Sequence, residues 1–258
     1  MPSDIQKQRY VPLVGTTNLR NLGGYHTNDG TKTTKWGVLY RCDQLAEVPP
    51  EMAQRVLVDQ LNIHTTYDLR ADKEVAVKSY DIPRITRNHV PIDTTQISRW
   101  VKDGEDLHSG PVTFRVLQEI YREFVRSYGS TVGSIIKGIL ASNPSSDNAS
   151  LIHCTAGKDR TGWSVYVLLT LLDINEEEKR KDYLLTNTYF KVPQDAYDYL
   201  GGLGMSGDAM KVLWSVFDEF LDAGIDEVNK FGGVETYAKS HMGLTDADIQ
   251  QLRETLLE

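Results

Sequence analysis

Cysteine is nearly absent from this sequence: two residues, Cys42 and Cys154, among 258. Two thiols argue against a disulfide framework and for a reducing compartment, so the expected setting is cytoplasmic. Residues 1–10 are polar and carry no apolar core of a Sec-type signal, although export by a signal-independent route stays open. No run approaches the length of apolar sequence that a membrane span needs, so no span is expected. Basic charge is in deficit, with 28 Lys and Arg against 36 Asp and Glu. That balance argues against a general nucleic-acid or anionic-membrane binder. None of the six histidines falls in an H-E-x-x-H or Cys/His spacing, so no metal and no cofactor are expected. Repeats, low-complexity tracts and Pro/Gly/Ser linkers are missing too. The reading is a tail over residues 1–14 and one domain over 15–258, of which 175–258 is a helical C-terminal part.

What is present is periodicity. Asn28-Asp29-Gly30 marks a hairpin turn. Strands are expected over 36–41, 63–69 and 88–92, and Pro49-Pro50-Glu51 opens a helix reaching about residue 60. Residues 93–111 form the longest irregular stretch, which reads either as a solvated connector or as a functional loop. Leu117, Ile120, Tyr121, Phe124 and Val125 fall at i, i+3, i+4, i+7 and i+8, predicting a helix over 112–128. A second helix is expected over 130–141, capped by Ser130. The segment 161–172 is apolar almost all round, as a buried helix would be. From Asn175, which with Glu178 forms a cap-box pattern, the chain reads as helical. A short helix is expected over 193–200, with Gly201, Gly202 and Gly204 as a candidate hinge. Met210, Leu213, Trp214, Phe217, Phe220 and Leu221 make one helical core stripe, and 245–257 closes the chain. The fold class is α/β: a parallel-rich central sheet flanked by helices, with an all-helical C-terminal addition.

The stretch that organises the rest is H-C-T-A-G-K-D-R-T-G, residues 153–162. Cys154 and Arg160 stand at the C-x5-R spacing of a cysteine phosphatase loop. A buried strand, a tight loop and a helix N-terminus together make an anion site. Thr155, Ala156, Gly157, Lys158 and Asp159 supply its backbone, and the Arg160 guanidinium can bind two phosphate oxygens at once. The same positive surroundings favour a thiolate nucleophile at Cys154. A nucleotide-binding loop prompted by Gly157-Lys158 fails twice. Ile152 stands where its first glycine belongs, and Asp159 stands where Ser or Thr would hold magnesium. A carboxylate at Asp159 beside an anion weakens binding unless it carries a proton or turns away.

These residues resemble the cysteine-dependent tyrosine phosphatase superfamily, in the form seen in its microbial tyrosine and phosphoinositide phosphatase branch. Asn18-Leu19-Arg20-Asn21-Leu22-Gly23-Gly24-Tyr25, Leu39-Tyr40-Arg41-Cys42-Asp43-Gln44-Leu45 and Asp68-Leu69-Arg70 are similar to that branch as well. Asn21 and Cys42 depart from it, standing where Asp and Ser are usual. The resemblance implies hydrolysis of a phosphorylated protein, most simply on phosphotyrosine, through a phosphocysteine. A phosphoinositide or other polyphosphorylated small molecule is the alternative, prompted by Lys158. It leaves two candidates for the general acid, Asp159 in the loop and Asp93 after the strand at 88–92. His153 is expected to fix the Cys154 geometry through loop backbone, and Thr161 either to donate to the Cys154 sulfur or simply to cap its helix. Asp68, Arg70 and Arg41 read as structural ion-pairing residues. Cys42 is either a small core residue or a partner for a reversible disulfide with Cys154. Two other readings weigh less. A phosphate-binding adaptor would lack Cys154 or Arg160, and a sulfur transferase would not need Arg160.

Overall fold

Residues 149–153 are buried without exception, and a strand buried on both faces needs cover on both. In the computed structural model, which describes residues 8–94 and 108–258, this strand is the centre of a five-stranded sheet. The strands are β1 (Arg20–Asn21), β2 (Leu39–Cys42), β3 (Ile63–Asp68), β4 (Thr86–His89) and β5 (Ala149–His153). Their order is β1-β2-β5-β3-β4. Only the β1–β2 pair is antiparallel; the β2–β5, β5–β3 and β3–β4 pairs are parallel. Alternation along β5 divides the core. Leu151 joins a cluster with Leu13, Leu45, Val56 and Leu57, while Ile152 joins the larger cluster on the other face.

The smaller cluster is covered by α1, which opens at Pro50–Met52 and continues as a π-helical stretch, Ala53–Gln60. The larger is covered by α3 (Gly110–Ala141) and α4 (Asp159–Leu171). A short helix, α2 (Asp72–Val77), follows β3. The chain ends in seven helices: α5 (Glu176–Leu184), α6 (Thr186–Tyr189), α7 (Gln194–Gly202), α8 (Gly207–Trp214), α9 (Asp218–Asn229), α10 (Val234–Ser240) and α11 (Asp246–Leu256). Phe220, Leu221, Leu252 and Leu256 from these helices share the larger cluster with Ile152. No described helix is long and apolar enough to cross a membrane.

Several expectations are corrected. The two helices of 112–128 and 130–141 are one, and Ser130 caps nothing. Glycine at 129 and 133 answers to packing instead. A Cβ on Gly129 would lie 2.5 Å from Tyr237 Oη, and one on Gly133 would lie 1.9 Å from the Met242 carbonyl oxygen. The stripe from Met210 to Leu221 is two helices, because Ser215 is extended and ends α8. Asn175 caps α5 through Glu177 N–H at 3.0 Å, whereas Glu178 turns to His26, so no box forms. The supposed tail is packed where it is described: Arg9 and Leu13 are buried, and Arg9 donates to the carbonyls of Gly23 and Gly24. Within the irregular stretch 93–111, residues 95–107 lie outside the described residues, and Gly110 already begins α3.

Candidate active site

Strand β5 ends at His153 and α4 begins at Asp159, so residues 154–158 form the tight loop between them. Gly157 has φ +62°, and a Cβ there would lie 2.3 Å from the Cys42 carbonyl oxygen. Only glycine suits both conditions. The loop carbonyls are tied from one side. Gln44 N–H donates to Thr155 O at 3.0 Å. Asn18 Nδ2 donates to Ala156 O and Gly157 O, both at 3.1 Å, and Arg41 Nη2 donates to Gly157 O at 2.7 Å. Every described peptide is trans, and in a trans peptide the N–H points opposite to its C=O. The N–H groups of Ala156, Gly157 and Lys158 are therefore turned away from these ties, as an anion site requires.

The ties are themselves anchored. The buried Asp43 carboxylate accepts from the backbone N–H of Thr17 and Asn18, each at 3.0 Å, and from the Thr16 hydroxyl. Asp182, on α5, accepts from Arg20 Nε at 2.9 Å, Arg41 Nη1 at 2.7 Å and Tyr25 Oη at 2.9 Å. Burial works against its charge, yet the two guanidiniums outweigh it and hold the carboxyl well below the usual range. The motif stretches around Asn18 and Arg41 thus act as scaffold for the loop.

Arg160 is buried and forked onto Glu74 of α2. Nη1 lies 2.5 Å from Oε2 and Nη2 lies 2.8 Å from Oε1. Burial would raise the Glu74 carboxyl, but the Arg160 contact prevails and holds it at about 2. The Thr155 hydroxyl also donates to Glu74. Buried His153 places Nδ1 3.2 Å from the Cys154 carbonyl oxygen and Nε2 2.7 Å from Tyr80 Oη. A carbonyl only accepts, so Nδ1 carries the proton and Nε2 accepts from Tyr80. Thr161 Oγ1 is buried without a hydrogen-bond partner among the described residues. The expected bond from Thr161 to the Cys154 sulfur is therefore not formed, and its hydroxyl does not cap α4.

Lys158 is neither solvent-facing nor directed at the cleft. Its Nζ donates to Asp159 Oδ1 and to Ser215 O, both at 2.9 Å. Asp159 Oδ1 also accepts from Tyr121 Oη at 3.0 Å. Asp93 is exposed beside the undescribed residues. Its carbonyl accepts from Tyr128 Oη at 2.8 Å, and the preceding Ile92 carbonyl lies 3.4 Å from Arg160 Nη1. Asp68 pairs with Arg70 and Arg87 at the end of β3. Cys42 and Cys154 are both free thiols. Cys42 is in register with His153 and packs in the smaller cluster, while Cys154 packs in the larger. Cys42 thus packs as a small core residue, and no disulfide joins it to Cys154.

A cleft of about 660 Å³ opens at Thr155 and Ala156. Phe190, Val192 and Trp214 give it an apolar wall, and Lys73, Lys78 and Lys191 stand on its rim. Sequence reasoning missed Glu74, Asp182 and Tyr80. Glu74 sat in a charged stretch, Asp182 in the run E-E-E-K-R-K-D, and neither carried a local signal of a distant partner.

A model described as the tyrosine phosphatase family matches residues 11–258. A Cupriavidus necator protein provisionally named a tyrosine-protein phosphatase is 33% identical over 105 residues, 40% of this chain and 37% of that protein. The triple specificity protein phosphatase PtpB of Mycobacterium tuberculosis is 26% identical over 207 residues, 70% of each chain. The match therefore spans little more than a third of the Cupriavidus relative's length. The crystal structure of P. aeruginosa TpbA is 14% identical with a TM-score of 0.36, covering 73% of this chain and 86% of that one.

Proposed function

Because the chain belongs to the tyrosine phosphatase family, we propose that it hydrolyses phosphomonoesters through a phosphocysteine on Cys154, with phosphotyrosine as the leading substrate. The observation that carries this reading is the loop itself. Three carbonyls are tied back by Gln44, Asn18 and Arg41, and Arg160 is pre-set by Glu74. Such a cradle meets the charge of a phosphoryl group without reorganising.

In the first step the Cys154 thiolate attacks phosphorus as the ester P–O bond breaks. The amides of residues 155–159 and Arg160 hold the non-bridging oxygens. Asp159 gives a proton to the departing oxygen. In the second step a water attacks the phosphocysteine, Asp159 takes the water proton, and the thiolate leaves. Asp93 is the competing acid, two residues before the stretch 95–107. The two are separated by how the loss in Asp159→Asn and Asp93→Asn depends on leaving-group basicity.

A phosphoinositide or other polyphosphorylated substrate is the second reading. The rim lysines Lys73 and Lys191 favour it. Lys158, engaged with Asp159 and Ser215, does not. The test is phosphate release across phosphopeptides and phosphoinositides, with Cys154→Ser as blank. Turnover of phosphotyrosine peptides by the wild type alone is the expected result. Multiple turnover by Cys154→Ser would refute the mechanism, and release confined to phosphoinositides would replace the substrate.

A further inference from the structure

The two oxygens of the Asp159 carboxylate differ in their surroundings. Oδ1 accepts from Tyr121 Oη at 3.0 Å and from Lys158 Nζ at 2.9 Å. Tyr121 Oη also lies 2.6 Å from Tyr183 Oη. A phenol has one proton to give, and Tyr121 spends its own on the carboxylate. Tyr183 must therefore donate to Tyr121, and the hydroxyls run one way, from Tyr183 to Tyr121 to Asp159. Both phenols are fully buried, and burial pushes both well above their ordinary range, so they remain donors. Lys158 is held at its far side by the Ser215 carbonyl. The three donors come from separate places: α3, α5 and the loop itself. The Asp159 side chain as a whole keeps 23% of its surface open.

Resting on the reading that Asp159 is the general acid, we propose that Tyr121, backed by Tyr183, and Lys158 are positioning residues. They hold Oδ1 as a standing acceptor and leave Oδ2 as the oxygen that carries the catalytic proton. The Oδ2 proton passes to the leaving oxygen as the P–O bond breaks and the S–P bond forms. Oδ2 then takes a proton from the attacking water as the S–P bond breaks and sulfur leaves as thiolate. Without Tyr121, one oxygen loses half of what distinguishes it from the other. The carboxyl can then turn about its Cα–Cβ and Cβ–Cγ bonds, and the proton spends less time on the oxygen that faces the reaction.

The test is a series of aryl phosphates with leaving groups of graded basicity. It uses the wild type, Tyr121→Phe, Tyr121→Phe/Tyr183→Phe, Asp159→Asn and Asp159→Asn/Tyr121→Phe. Tyr121→Phe should lose about tenfold in kcat on the most basic leaving group and under about twofold on nitrophenyl phosphate, with KM unchanged. It should add nothing to Asp159→Asn. The double phenylalanine variant removes the hydroxyl that the single one orphans. It guards against misfolding and should show the same leaving-group slope. An equal loss on every ester, or a Tyr121→Phe loss that persists in the Asp159→Asn background, overturns the positioning role alone. A flat Asp159→Asn profile overturns the acid assignment and this inference with it.

Discussion

Glu74 and Arg160 meet as a two-point fork, Nη1 to Oε2 at 2.5 Å and Nη2 to Oε1 at 2.8 Å, across 86 residues of chain. The same carboxylate accepts from Ala71 N–H at 2.8 Å and so helps to start α2. One side chain therefore fixes both the beginning of a short helix and the plane of the guanidinium beside the 154–158 loop. A planar fork matched to a planar fork sets orientation as well as charge, which an ammonium could not do.

Replacing Glu74 by Gln should lower kcat/KM about tenfold to a hundredfold, since one side of the fork then faces an amide N–H. The pH dependence of stability follows from the same pair. The Glu74 carboxyl is held at about 2, below the ~4.3 of an unperturbed Glu. Its contribution is complete above that ordinary value and lost as pH falls toward 2. Urea unfolding of wild type and Glu74→Gln at several pH values should give a stability difference that shrinks between about pH 4.5 and 2. A difference constant across that range would contradict the pairing.

Asn18→Ala should loosen the loop without touching a reacting atom. It removes both donors to Ala156 O and Gly157 O, and the adjoining N–H groups lose their fixed direction. We expect phosphate or vanadate affinity to fall about tenfold and stability to drop by about 1–3 kcal/mol. Isothermal titration and urea melts measure the two. Unchanged anion affinity would show that Arg41 and Gln44 alone hold the loop.

Asp182→Asn should be the most destabilising of these substitutions. Arg20 and Arg41 are fully buried and share that one carboxylate. Removing one partner from a buried ion pair costs about 3–5 kcal/mol, because the remaining charge is left unmatched. Arg41 also holds Gly157 O, so residual activity should fall further than the folded fraction does. A loss under about 1 kcal/mol by chemical denaturation would show that the guanidiniums find other acceptors.

Much of the frame was legible from the chain. The 153–162 run announced strand, loop and helix, and the predicted strands over 63–69 and 88–92 fell within a few residues of β3 and β4. Periodicity failed where a residue answers to a distant neighbour. Gly129 looked like a helix end, but α3 runs through it, because Tyr237 from α10 packs there and donates to Val125 O at 2.7 Å. Asp182 ends the charged run E-E-E-K-R-K-D, yet it is the buried anchor of two arginines. Glu74 and Tyr121 were invisible as site residues for the same reason. Each reaches the loop from an element far off in sequence, and no local pattern records such a contact.

His153 should set the acid dependence of stability above about pH 4. Its imidazole is fully buried, and burial pushes it down to about 4 in spite of nearby Asp68, which pulls the other way. Arg70 and Arg87 also face it and oppose its protonation. An unfolded histidine titrates near 6.5. Between about pH 6.5 and 4 the unfolded chain therefore binds a proton that the native chain refuses. Stability should fall as pH drops through that window, by at most on the order of 3 kcal/mol. His153→Gln should remove this slope and leave the decline below about pH 4.5 that belongs to the paired carboxylates Glu74, Asp68 and Asp182. The two windows are separate enough to resolve by urea unfolding at half-unit steps from pH 7 to 3. Function should respond as well, because a neutral ring with its proton on Nδ1 can donate to the Cys154 carbonyl, while its Nε2 accepts from Tyr80. Tyr80→Phe keeps the tilted ring contact with His153 but leaves Nε2 without that donor. It should lower kcat modestly, about threefold to tenfold, and leave the pH 6.5 to 4 slope in place. Equal acid slopes in wild type and His153→Gln would mean that the buried ring is protonated in the native state. The tautomer argument for the loop's first carbonyl would then fall.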